Sequence, residues 1–249
     1  MIIIKTEKEI DLMRQAGKIV AETLLLVEKY VKPGVTTAEL DRIAEEFITK
    51  HGAKPSFKGL YGFPASLCIS VNEQVVHGIP GGYVLKEGDI ISVDCGAELN
   101  GFHGDAARTF AVGEISEEAR RLITVTEESF FKGVEAAVIG NRLSDISHNI
   151  QKHVEANGFS VVRDFVGHGI GKAVHEDPEV PNFGRPGRGP KLVTGMALAI
   201  EPMVNIGTYR VKTASDDWTV ITADKSLSAH YENTIVILPD GPEILTLIK

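Results

Sequence analysis

Apolar residues recur at helical spacing in four places along the chain. Residues 7–31 carry Ile10, Met13, Ile19, Val20, Leu24 and Val27, and residues 116–138 carry Leu122, Ile123, Val125, Phe130 and Val134. Intervals of three, four and seven put each set on one face, which predicts two long amphipathic helices. A shorter helical pattern follows each: Leu40, Ala44, Phe47 and Ile48 after the first, Ile146, Ile150 and Val154 after the second. Glycines bracket both short patterns, Gly34 and Gly52 aligning without a gap on Gly140 and Gly158. A Gly just past the last apolar position suits the left-handed residue that ends a helix. Strand- and hairpin-like segments follow each helix pair. The order helix, helix, strands therefore occurs twice. This predicts an α+β fold of two similar halves, roughly 1–112 and 113–249, forming a single domain with its site where the halves meet.

The segment ISVDCGAELNGFHGDAARTF, residues 91–110, is the clearest hairpin. Asn100-Gly101 is the strongest short turn signal in the chain and sets Gly96 opposite Asp105 and Glu98 opposite His103. Side chains alternate between faces, so Asp94 and Asp105 share one face as diagonal neighbours, roughly 7–8 Å apart at Cα. Gly96, without a side chain, is expected to leave the space between them open. Two such acids in half-buried strands need a proton or a cation to offset their desolvation and mutual repulsion. From the hairpin alone, a solvated face with incidental acids, an acid pair and a metal site all remain open.

Composition narrows the choice. A net charge of −8 argues against a generally nucleic-acid-binding surface. Cys68 and Cys95 form no CxxC pair, which points to a reducing compartment and away from a thiolate zinc site. The start MIIIKTEKEI has neither a basic region nor an apolar core of export-signal length, and no run approaches a membrane span, so a cytoplasmic location is expected. Further oxygen and imidazole donors lie downstream. FVGHGIGKAVHEDPEVP sets His168 between glycines and His175 seven residues on, with EDP expected to end the strand. MALAIEPMV places Glu201 in an apolar run, SAHYENTIVIL does the same with Glu232, and NEQVVHGIP ends a strand at His77. Each alone is compatible with a structural role. Together they give four carboxylates and two or three histidines with no competing thiolate, a set that suits two divalent ions such as Mn, Fe, Co or Zn.

In this order and local context, Asp94, Asp105, His168, Glu201 and Glu232 resemble the ligand series of the type I methionine aminopeptidases, over nearly the whole chain. The resemblance implies a pita-bread fold, one catalytic domain of two pseudo-symmetric halves around a dinuclear metal site. It implies that Asp105 and Glu232 bridge the two ions, that Asp94 holds one, and that His168 and Glu201 hold the other. Glu201 would also carry the proton, while His77 and His175 would face the substrate as catalytic groups. The methionine pocket would be walled by Phe63, Cys68, Val174 and Trp218, with Leu60 and Tyr61 at its rim. Leu60, Phe63 and Val174 depart from the Tyr, Tyr and Phe frequent in the family, which keeps the pocket apolar but removes hydroxyls and bulk. Asn72, Gln74 and Ser228 match positions that hold a monovalent cation in some relatives. The implied partner is the N-terminal Met of nascent peptides, preferentially before a small second residue. A monomer in transient contact with the ribosome is expected, without a membrane or a specific nucleic acid. Lys54 and Lys58 read as a solvated basic loop. Prolidase and aminopeptidase P share the five ligands, and non-catalytic binding modules occur on the same fold. The short start before the first helix, and the 31 residues from Glu201 to Glu232, favour the type I form.

Overall fold

The structure is a computed structural model that describes residues 1–247. Its helices are α1 (Glu7–Glu28), α2 (Thr37–Lys50), α3 (Glu117–Glu135) and α4 (Leu143–Ala156). Their starts follow from local chemistry. Thr6, Thr36 and Ser116 each accept the backbone N–H of the third helical residue, and at α1 Glu9 reciprocates to complete a capping box. Residues 29–31 lie outside α1 although Val31 is apolar. Their N–H groups bond three residues back, to Leu26, Val27 and Glu28, so the last turn tightens and the helix stops. The two short helices, 14 residues each, end just before Gly52 and Gly158, whose φ angles are 76° and 80°.

The strands of the first half are β1 (Lys54–Pro55), β2 (Leu67–Val71), β3 (Gln74–Val76), β4 (Ile90–Leu99) and β5 (Phe102–Ala111). Those of the second are β6 (Ser160–Val161), β7 (Gly167–Gly169), β8 (Glu176–Val180), β9 (Ala197–Ile200), β10 (Met203–Asn205), β11 (Val211–Thr213), β12 (Val220–Thr222), β13 (Ser228–His230), β14 (Asn233–Leu238) and β15 (Gly241–Ile244). All pairings are antiparallel. The long hairpin β4–β5 pairs along β4 with β2 and β1, and a five-stranded sheet runs β15-β14-β9-β7-β8. Two three-stranded sheets, β13-β10-β6 and β11-β12-β3, complete the set.

Helices α1 and α2 cover the first sheet through Val20, Leu24, Leu40 and Ile48 against Ile69 and Val93. Helices α3 and α4 do the same in the second half, with Leu122, Phe130, Ile146 and Ile150 against Leu198 and Ile235. Helix α1 crosses the hairpin where Gly17 meets Gly104. A Cβ on Gly104 would lie 2.8 Å from the Gly17 Cα, and one on Gly17 would lie 2.4 Å from the Leu245 carbonyl oxygen. Glycine is required on both sides of this crossing.

The halves join edge to edge. Ala107 on β5 and Glu232 exchange backbone hydrogen bonds of 3.3 and 3.0 Å. The Thr234 hydroxyl accepts from the Asp105 N–H at 3.0 Å and donates to the Asp105 carbonyl at 2.9 Å. The half-buried Arg108 guanidinium donates to the carbonyls of Ala107 and Glu232 and to Asn233 Oδ1, at 2.8, 2.6 and 2.7 Å. The seam thus runs through two of the acids singled out from the sequence. Among the described residues, no helix is long and apolar enough to cross a membrane.

Candidate metal centre

The hairpin has the register that its Asn-Gly turn dictates, with Gly96 opposite Asp105, Glu98 opposite His103 and Asp94 opposite Ala107. Asp94 and Asp105 sit mid-strand on β4 and β5 and line the same cavity. The expected gap at Gly96 is not open. A Cβ there would lie 2.8 Å from both Phe57 Cε1 and Ser56 Cβ, so this glycine admits the Ser56 and Phe57 side chains, and the Ser56 N–H bonds the Gly96 carbonyl at 2.9 Å. His168 is on β7, Glu201 follows β9 where Pro202 interrupts the ladder, and Glu232 immediately precedes β14. The EDP segment begins β8 instead of ending a strand. Strand β8 is the edge of its sheet, so Pro178 forfeits no ladder bond there.

These five side chains converge on one cavity of about 730 Å³, together with His77 and His175. The sequence reading missed His230, the last residue of β13 and 1% exposed. Its signal was present: it stands two residues before Glu232, the spacing at which neighbouring extended residues share a face. Its Nε2 lies 3.6 Å from Glu232 and 4.0 Å from Glu201. Two groups of donors are compact enough for one ion each, Asp94 with His230 and Glu232, and Asp105 with His168 and Glu232; within each, all donor atoms lie within 4.8 Å of one another.

The electrostatics favour a cation here. Burial pushes the Asp94 carboxyl up to about 7. Burial, reinforced by the neighbouring acids, holds Asp105, Glu201 and Glu232 well above the usual carboxylate range. Asp94 Oδ1, Asp105 Oδ1, Glu232 Oε1 and His230 Nε2 are buried without a hydrogen-bond partner. Buried polar atoms rarely stay unpaired, and four convergent ones fit a divalent ion. Burial also keeps His168 and His230 neutral, lowered to about 4 and about 3. The His168 Nδ1 donates to the Gly169 carbonyl at 2.9 Å, which leaves the Nε2 lone pair facing Glu201 at 3.5 Å and Asp105 at 3.9 Å.

Beside this centre lies an apolar cluster of Phe57, Phe63, Ala65, Cys68 and Val174, with Leu60, Ile79 and Trp218 against it. Phe63, Cys68, Leu60, Tyr61 and Trp218 line the cavity, while Val174 packs in the cluster without lining it. Phe57 is an additional lining residue that the motif positions did not suggest. Tyr61 is 77% exposed and stacks on the His175 ring at 5.9 Å. His77 stands edge-on to Phe165 at 5.6 Å. Burial lowers the pKa of both His77 and His175. Away from the centre, Ser228 N–H donates to the Asn72 carbonyl at 2.9 Å, and the Gln74 amide oxygen accepts from Val71 N–H at 2.8 Å. Lys54 and Lys58 are solvent-facing, as expected, with Glu98 and Glu45 at 3.5 and 2.6 Å.

Two helix-backed halves enclosing an acid-rich cavity are the pita-bread architecture, and the comparisons agree. The model of metallopeptidase family M24 matches residues 11–239. The chain is 77% identical to a methionine aminopeptidase of Clostridium perfringens, and 57% identical to methionine aminopeptidase 1 of Bacillus subtilis, in each case over all of both chains. A crystal structure of the methionine aminopeptidase of Thermotoga maritima superposes with a TM-score of 0.98 at 49% identity, covering all of both chains. A prolidase of Pyrococcus furiosus shares the fold alone, at 24% identity and a TM-score of 0.82, with 66% of that longer chain covered. The chain belongs to metallopeptidase family M24, among the type I methionine aminopeptidases.

Proposed function

We propose that this protein removes N-terminal methionine from peptides and nascent proteins, preferentially when the second residue is small. The observation that carries the reading is the juxtaposition of the buried acid–imidazole centre with an apolar pocket in one cavity. Asp94, Asp105, His168, Glu201 and Glu232 are the proposed holders of two divalent ions from among Mn, Fe, Co and Zn, with His230 as a further donor beside Asp94. Ions bound there supply Lewis acidity and a water of lowered pKa.

The chain's own groups supply the rest. Glu201, a carboxyl at the cavity wall beside His168, is assigned to take and return the proton. His175, which lines the cavity beside His168, is assigned as the hydrogen-bond donor to the oxygen that gains negative charge when the scissile carbonyl is attacked. His77 is assigned to the substrate amide. The free amine of the substrate is placed beside Asp94, which explains exopeptidase action, since an internal peptide has no amine to offer there. Phe63, Cys68, Trp218, Leu60 and Tyr61 receive the methionine side chain, with Val174 packed behind them. We read the two halves as one catalytic domain, and the Asn72, Gln74 and Ser228 backbone as a monovalent-cation site. Action as a cytoplasmic monomer on chains emerging from the ribosome completes the reading.

The test is hydrolysis of Met-Ala-Ser against Gly-Pro by metal-stripped protein reloaded with each of Mn, Fe, Co and Zn. Release of Met without cleavage of Gly-Pro is expected. Preferential cleavage of Gly-Pro would move the protein to a prolidase-like activity.

A further inference from the structure

Among the described residues no hydrogen bond holds the His175 ring. Its orientation is therefore set by its backbone and by two ring contacts, edge-on against His168 at 4.6 Å and stacked under Tyr61. The backbone at this point belongs to a tight turn between β7 and β8, and the next residue, Glu176, staples that turn. Glu176 Oε1 accepts the N–H groups of Lys172 and Ala173 at 2.9 and 3.3 Å. Its Oε2 meets Lys5 Nζ at 2.5 Å, and the two side chains are 2% and 6% exposed. Lys5 is itself fixed: its ammonium donates to the Ile3 carbonyl at 3.0 Å and its backbone N–H donates to Gly195 at 2.8 Å.

The surroundings are shaped for this ion pair. A Cβ on Gly171 would lie 2.4 Å from Lys5 Cε and 2.6 Å from Glu176 Oε1, so only glycine lets the pair cross the turn. The Gly171 carbonyl in turn accepts from the His103 N–H at 2.8 Å, tying the turn to the hairpin that bears Asp105. A buried ion pair is a poor source of net stability, because desolvating both charges consumes most of their attraction. What it does supply is a fixed direction: one ammonium and one carboxylate, each with several partners, tolerate little displacement.

We propose that the buried Lys5–Glu176 pair is a positioning device for His175, holding the 171–176 turn so that the imidazole faces the reacting carbonyl. The proposal deepens the function given above and rests on His175 being a substrate-facing group. Lys5 does not line the cavity, and Glu176, at its edge, has its carboxylate engaged by Lys5 and by the turn's N–H groups, so the pair acts through the turn.

The test is a double-mutant cycle on the metal-loaded full-length protein with Met-Ala-Ser as substrate. Lys5→Met and Glu176→Gln are made separately and together, each in the wild-type and in the His175→Ala background. The combined Lys5→Met, Glu176→Gln variant leaves neither charge buried alone and carries the test if a single variant fails to fold. Near-ultraviolet circular dichroism and metal content per chain serve as controls and are expected to stay at wild-type values. In the wild-type background kcat is expected to fall by about ten- to a hundredfold, the scale of a small misplacement of a reacting group, with KM changed less than about twofold. In the His175→Ala background the same changes are expected to cost nothing further. Unchanged kcat in the folded variants, or the same factor lost again without His175, would overturn the proposal and leave the pair a purely structural staple. If His175→Ala alone leaves kcat intact, the assignment of His175 itself fails and the positioning role goes with it.

Discussion

Asp105 is 3% exposed, has one carboxylate oxygen without a partner, and sits where the two halves exchange backbone hydrogen bonds. Asp105→Asn keeps its size and removes its charge. Hydrolysis of Met-Ala-Ser is expected to fall to background and metal content to drop, while far-ultraviolet circular dichroism stays native; full activity would remove the carboxylate from the centre. His230→Ala is expected to weaken binding of one of the two ions by about ten- to a hundredfold, read by titration calorimetry on stripped protein. An unchanged isotherm would show that this imidazole stands by without ligating. At this scale the sequence was informative where a polar residue interrupts an apolar run, as at Glu201 and Glu232. Its one mark of His230 is the spacing of two from Glu232, which becomes informative only once both residues are known to be extended.

At the scale of elements, caps and turns were the legible part. Thr36 with Gly52 bounds α2, and Asn100-Gly101 fixes the whole register of β4 and β5, since both depend only on neighbours in sequence. Contacts between distant segments were not legible. Gly96 admits the Ser56 and Phe57 side chains, and Pro178 is accommodated because β8 is an edge. The same distinction governs which substitutions matter. Gly17→Ala would raise helix propensity in isolation, but its methyl would meet the Leu245 carbonyl. The protein is expected to lose about 1–3 kcal/mol, seen as a lower denaturation midpoint. Arg108→Met removes the donor shared by Ala107, Glu232 and Asn233 across the seam, along with its stacking over Tyr231 at 4.2 Å. Loss of these charged hydrogen bonds is expected to cost about 2–4 kcal/mol in the same measurement.

For the molecule as a whole, the acid cluster ties stability to pH and metal. Asp94, Asp105, Glu201 and Glu232 have folded-state pKa values raised above their unfolded ones. Their contribution is therefore complete below the ordinary carboxylate pKa and is lost as pH rises through the folded values, about 7 for Asp94. His168 and His230, lowered to about 4 and about 3, act in the opposite sense, but only below the ordinary imidazole pKa of 6.5. From pH 6.5 upward the carboxylates alone remain, so the Tm of chelator-treated protein is expected to fall as pH rises from 6.5 to 8. Adding Mn or Co should raise Tm and flatten that slope, because the ionised acids then have a cation and binding favours the native state. A stripped protein whose Tm does not fall over this range would contradict the burial assigned to these groups. The overall architecture was readable because the chain states it twice, helix, helix, strands; the seam was not, because its partners lie more than a hundred residues apart. The chain also contains a single tryptophan, Trp218, set edge-on to Phe63 at 5.1 Å in the wall of the proposed methionine pocket. Its tryptophan emission consequently comes from one place, so an unlabelled sample carries its own optical gauge of whether a side chain has entered beside the acid cluster.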